Sequence, residues 1–176
     1  MPSSDKPAGF IEIETQPDGT EILHPTSFCR GPWDADSCHA GPPNGAIARA
    51  AEQALPGLRL VRLTTEIMKP IPMAGFTLTA TVTKPGRTVA TSRIELRDLD
   101  EVLIAVSHSA HLVSRTQQPD IPTISIDSIS LEASTPGPFV LDASRHGSVG
   151  FIDGVETRYP DGHDNSTGPT SIWLRT

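Results

Sequence analysis

The run Phe76-Thr77-Leu78-Thr79-Ala80-Thr81-Val82-Thr83 decides the fold of this 176-residue chain. Apolar and hydroxyl side chains alternate along it without a break, the period-2 signature of a strand with one buried face. Strand-like segments flank it at residues 58–68, 88–97 and 102–114, with Lys84-Pro85-Gly86-Arg87 and Asp98-Leu99-Asp100-Glu101 as turn chemistry between them. An antiparallel meander is therefore expected. In its last segment Val102, Ile104, Val106, Ala110 and Leu112 share a face with His108, which reads as a core histidine. His111, three residues on, points to the opposite face, so the two imidazoles cannot readily share a metal.

Before the meander, residues 44–55 read as a helix stopped by Pro56-Gly57, and Pro42-Pro43 suits its first turn, where a missing N–H costs nothing. Ile47, Ala50, Ala51, Ala54 and Leu55 repeat at helical spacing and give one apolar face of mostly small side chains. Further upstream, residues 10–14 and 20–23 flank Pro17-Asp18-Gly19 as a hairpin. Hairpin, helix and meander in that order make an α+β domain over residues 1–114. Residues 115–138 have the texture of a linker. Residues 139–176 hold two further strand-like runs, 150–159 and 171–175, too few to stand alone in water.

Net charge is −7 with no cluster of Lys and Arg, which excludes a phosphate-backbone footprint and hence a nucleic-acid partner. No run approaches the roughly 18 apolar residues of a membrane span, and the first seven residues hold no apolar export segment. A cytoplasmic protein is expected, with Cys29 and Cys38 as reduced thiols.

The stretch Cys38-His39-Ala40-Gly41-Pro42-Pro43-Asn44-Gly45-Ala46-Ile47-Ala48-Arg49-Ala50, followed by Thr65-Glu66-Ile67-Met68-Lys69-Pro70-Ile71-Pro72, resembles the thioesterase II-like family of acyl-CoA thioesterases. The resemblance covers about residues 24–114, and Ile172-Trp173-Leu174-Arg175 is similar to the segment that opens the family's second domain. It implies a hotdog fold, an antiparallel sheet wrapped around a central helix, here the first half of a double hotdog with the beginning of the second. It also implies acyl-CoA as the partner, bound in the cleft between two such helices, and no cofactor. In this family a carboxylate, a hydroxyl and an amide activate water, and they lie mainly in the second hotdog. A homo-oligomer is expected, because one small domain leaves a long strand edge exposed.

Several residues of the first half are candidates for the chemistry. The free N–H groups opening the helix could polarise a thioester carbonyl, with Gly41, Asn44, Gly45 and Thr64 contacting substrate, or the glycines and prolines could only shape a tight turn. His39 either meets substrate or holds the loop. Asp34 and His39 have the spacing of the dyad in MaoC-type hotdog enoyl-CoA hydratases, although Asp36-Ser37 stands where that motif has Asn-Pro. Asp34, Asp36 and His39 lack a fourth ligand, so no metal is expected. Glu66 is either solvated or turned toward the cleft near Thr64, and Trp33 and Trp173 read as packing anchors. Three functions follow: an acyl-CoA thioesterase of reduced activity, a hydratase, or a non-catalytic acyl-binding module.

Overall fold

The computed structural model describes residues 7–115, 122, 124, 129–139, 149–166 and 168–176. Six strands and one helix build the main domain: β1 (Ile11–Thr15), β2 (Glu21–Pro25), α1 (Gly41–Ala54), β3 (Arg59–Ile67), β4 (Phe76–Lys84), β5 (Val89–Asp98) and β6 (Leu103–Leu112). The strands form one sheet in the order β1-β2-β4-β5-β6-β3, every neighbouring pair antiparallel. This is the α+β hotdog arrangement. The hairpin turns at Gly19, whose φ of 87° suits glycine, with Gln16 N donating to Thr20 O at 2.8 Å.

The helix starts at Gly41, earlier than residue 44, because Pro42 and Pro43 sit in a first turn where their missing N–H groups are not needed. Asn44 N donates to Ala40 O at 3.0 Å. Pro43, Ile47 and Ala51 turn inward, and the small Ala51 lets the helix lie close to the sheet. Leu23, Phe76, Ile94 and Leu96, each 1% exposed or less, pack in the same core, and side chains of this size contribute roughly 1.5–3 kcal/mol each when buried.

The inner face of β6 corrects the reading of its apolar pattern. Ser107, Ser109 and His111 are buried against the helix side, while His108 is exposed on the outer face between Thr64 of β3 and Arg93 of β5. His111, not His108, is the core histidine. The polar side chains are tolerated there because they hydrogen-bond across to β5 and along β6, with His111 Nδ1 alone left without a partner among the described residues. Ser92 Oγ lies 2.6 Å from Ser109 Oγ, and Ser109 Oγ lies 2.9 Å from His111 Nε2. The outer face is ionic, with the Glu95 carboxylate bridged by Arg93 and by Arg97 Nη2, the latter at 2.7 Å.

Beyond the main domain, β7 (Thr135–Pro136), β8 (Glu156–Tyr159) and β9 (Trp173–Arg175) form a three-stranded sheet. Two residues of the expected linker thus pair with β8, and residues 151–154 make a 3-10 turn where a strand was expected. That turn packs back onto the main domain: Phe151 N donates to Arg30 O at 3.0 Å, and Arg30 Nη1 donates to Val149 O at 2.8 Å. The leader at residues 1–6, much of the linker, and residues 140–148 of the expected second hotdog lie outside the described residues.

Candidate functional site

The loop entering α1 is tied down on both sides by backbone bonds. Gly31 N donates to Ser37 O at 2.9 Å, His39 N to Cys29 O at 2.6 Å, and Cys38 N to Ile71 O at 2.8 Å. Cys29 and Cys38 are free thiols, both buried. The Asp34 carboxylate shapes the loop, Oδ1 accepting from Asp36 N at 3.2 Å and Oδ2 from Ser37 Oγ at 2.7 Å.

His39 is clamped. Its ring stacks on Phe151 with centroids 3.9 Å apart and lies under Trp33 at 6.1 Å, both nearly parallel. Gly41 N donates to His39 Nδ1 at 3.1 Å, which assigns the ring proton to Nε2. Burial lowers its pKa, so the ring is neutral at pH 7. Trp33, expected as a packing anchor, is 69% exposed and covers His39 from outside. Among the described residues no group of three or more His, Cys, Asp or Glu is placed to hold a metal ion.

The two flanks of α1 differ. On the flank toward β3, Asn44 Oδ1 accepts from Thr65 Oγ1 at 2.7 Å, and Thr65 Oγ1 accepts from Ser107 Oγ at 2.8 Å. The Asn44 amide is held at its other end by Nδ2 donating to Ala40 O at 2.9 Å. This amide–hydroxyl–hydroxyl chain runs from the first turn of the helix across the sheet's inner face. It can orient a carbonyl or a water, but none of its groups can take a proton near neutral pH.

Thr65 and Ser107 were absent from the candidates read off the sequence. The neighbouring Thr64 pairs with His108 and is exposed with Glu66 on the outer face, away from α1. The signal for Thr65 was its place between Leu63 and Ile67 on one face of β3.

On the opposite flank lies a largely apolar chamber of about 500 Å³, walled by Ile11, Ile13 and Leu23 of the hairpin, Gly45 and Ala46 of α1, Phe151 and Thr176. Gly41 borders the same space, so the structure brings the two candidate glycines together here. At the rim Arg49 reaches both oxygens of Glu21, at 2.7 and 3.1 Å, and that contact lowers the Glu21 pKa.

Residues 29–111 match the family described as acyl-CoA thioesterase N-terminal domain. Over these residues the chain is similar to that thioesterase-like family. Solved structures agree with the hotdog assignment. A candidate thioesterase II from Thermobifida fusca superposes with a TM-score of 0.63 at 14% identity, over 85% of this chain and 52% of its own. A conserved protein with a hot dog fold from Alicyclobacillus acidocaldarius gives 0.65 at 14% identity, over 89% of this chain and 57% of its own. The BH2602 protein of Bacillus halodurans, solved with CoA, gives 0.52 at 16% identity, over 61% of this chain and 76% of its own. The chain thus spans about half the length of the Thermobifida hotdog protein. No curated protein matches its sequence.

Proposed function

We propose that this chain binds acyl-CoA thioesters in the cytoplasm and serves as the acyl-binding half of a thioesterase. The observation that carries this reading is the Asn44–Thr65–Ser107 chain at the first turn of α1, with an apolar chamber on the helix's opposite flank. The family match and the relative solved with CoA support it. Thioester hydrolysis needs a base for water, and amide and hydroxyl groups supply none. His39 is neutral, yet its Nδ1 is occupied by Gly41 N and its ring is held between two aromatics. Water activation therefore falls to a carboxylate outside this chain of groups, and hydrolysis by residues 7–115 alone is slow.

Calorimetric binding of dodecanoyl-CoA, run beside a thiol-reactive dye assay for released CoA, tests the proposal. Saturable binding with little release is the expected outcome, and no binding of any acyl-CoA overturns it. Hydration of an enoyl-CoA that disappears in Asp34→Ala would replace it with the hydratase reading. The same proposal includes a homo-oligomer. β3 ends the sheet with Val61 and Ile67 exposed, and β9 is exposed near the other end of the chain. A monomer by light scattering at micromolar concentration would count against it.

A further inference from the structure

We propose that Cys29 and Cys38 form an oxidisable dithiol, a modification site at which a hydroperoxide closes an intrachain disulfide and pins the loop leading into α1. The inference is independent of the acyl-thioester reading. Its first support is the backbone. Arg30 and Cys38 face each other as an antiparallel bridge, held on one side by Gly31 N donating to Ser37 O at 2.9 Å and on the other by His39 N donating to Cys29 O at 2.6 Å. The two segments approach so closely that a Cβ at Gly31 would come within 3.3 Å of His39 N and 3.4 Å of the Cys38 carbonyl carbon. Cys29 stands one position from the bridge, which places its Cα about 6 Å from that of Cys38, inside the roughly 4.4–6.8 Å that a disulfide spans. Cys29 ends a 3-10 turn, Ser27–Cys29, and the two thiols hydrogen-bond to each other.

The second support is the surroundings. Cys29 and Cys38 are buried in the core beside Ile47, Ile71 and Phe76, where a disulfide exposes no new polar group. Its formation also strands no acceptor at Cys29. Phe10 O accepts from Cys29 Sγ at 2.8 Å but also from Thr26 N at 2.9 Å, so it keeps a partner when the thiol proton is gone. Cys38 Sγ rests 3.5 Å from Pro72 O and 3.6 Å from Met73 Sδ, contacts with weak sulfur donors and acceptors that hold it only loosely.

The same contact sets the order of the chemistry. The hydrogen bond from Cys38 lowers the Cys29 pKa, while contact with Cys29 and burial keep the Cys38 thiol protonated. Cys29 therefore reacts first. Its thiolate attacks one peroxide oxygen: an S–O bond forms, the O–O bond breaks, and the other oxygen leaves with a proton as water or an alcohol. The Cys38 sulfur then attacks the Cys29 sulfur. An S–S bond forms, the S–O bond breaks, and the hydroxyl leaves as water with the Cys38 proton. Two thiols are oxidised and one hydroperoxide is reduced. The closed ring contains Trp33 and Asp34 and ends beside His39, so oxidation fixes the segment that covers the imidazole.

Treating the full chain with hydrogen peroxide, then measuring intact mass and mapping its peptides, tests this. The mass should fall by about 2 Da with both dye-reactive thiols lost, the map should show Cys29 linked to Cys38, and dithiothreitol should reverse all three. Mapping separates the link from methionine oxidation, which adds about 16 Da. The cross-linked chain should unfold roughly 5–10 °C higher than the reduced one. Cys38→Ser should stop at a Cys29 sulfenic acid that dimedone traps. If that variant fails to fold by circular dichroism, the mass and map of the unsubstituted chain decide. Two thiols still titratable after oxidation, links formed only between chains, or a cross-linked chain whose unfolding temperature is unchanged or lower overturns the proposal. Acyl-CoA binding by the reduced chain is read separately, so such a failure leaves the acyl-thioester reading standing.

Discussion

The helix-facing side of the sheet is two surfaces in one. Its β4–β5 half presents Phe76, Leu78, Ile94 and Leu96, while its β6–β3 half presents Ser107, Ser109, His111 and Thr65. Both halves pack beneath the same helix, yet one holds it by burial and the other through the hydrogen bond from Thr65 to Asn44. Apolar contact is insensitive to orientation, so the first half fixes only how close α1 sits. Hydrogen bonds are directional, so the second half fixes where the Asn44 amide points. The domain separates anchoring from aiming.

The largest expected effect breaks the anchoring half. Phe76→Ala should cost about 3–5 kcal/mol, read from the shift of the denaturant midpoint, because Phe76 is fully buried. Breaking the aiming half should cost less in stability and more in binding. Thr65→Val leaves Asn44 Oδ1 and Ser107 Oγ without their shared partner, and about 1–3 kcal/mol of stability should be lost together with affinity for acyl-CoA. Ser109→Ala removes the partner of His111 Nε2 in a side chain whose Nδ1 already lacks one among the described residues. A loss of about 1–2 kcal/mol with acyl-CoA binding intact should distinguish this second polar chain from the first.

A smaller effect is set by pH. Burial holds the His39 pKa below its usual value of about 6.5. As the pH falls through that value the unfolded chain takes up a proton that the folded chain refuses, so this share of stability is complete above it and is lost on acidification. Unfolding temperatures measured from pH 8 to pH 5 should decline accordingly, and His39→Phe, which keeps an aromatic ring in the stack, should flatten the decline. Least of all, Arg49→Ala should cost about 0.5 kcal/mol or less, since both partners of its ion pair are more than a third exposed or nearly so, and the cost should shrink further in salt.

How far the sequence could be read follows the same division. The anchoring half was legible where hydropathy and periodicity report it, as at Phe76 and Leu78 of β4, although the same alternation continues through Ala80 and Val82, which are exposed. The aiming half was not. In β6 the even positions carry the apolar residues, yet the odd positions face the helix, because buried Ser92, Ser107, Ser109 and His111 find partners that only cross-strand register reveals. Thr64 was chosen over Thr65 although Leu63, Thr65 and Ile67 alternate onto one face of β3, because a hydroxyl between two apolar residues does not announce its partners Asn44 and Ser107. The helix, its small-residue face and the two glycines were all visible. What lay out of reach was the part played by Phe151, since nothing in its neighbours announces contact with a loop more than a hundred positions earlier.

The segment matched to the family, residues 29–111, includes α1, Thr65 and Ser107 but omits β1, β2 and Phe151. Asn44, Thr65 and Ser107 thus lie in the matched stretch, whereas most of the chamber's apolar walls come from the chain on either side of it. The amide and hydroxyls on one flank of α1 and most walls of the chamber on the other are therefore carried by separate stretches of the chain, so a substitution in one stretch leaves the contacts of the other in place.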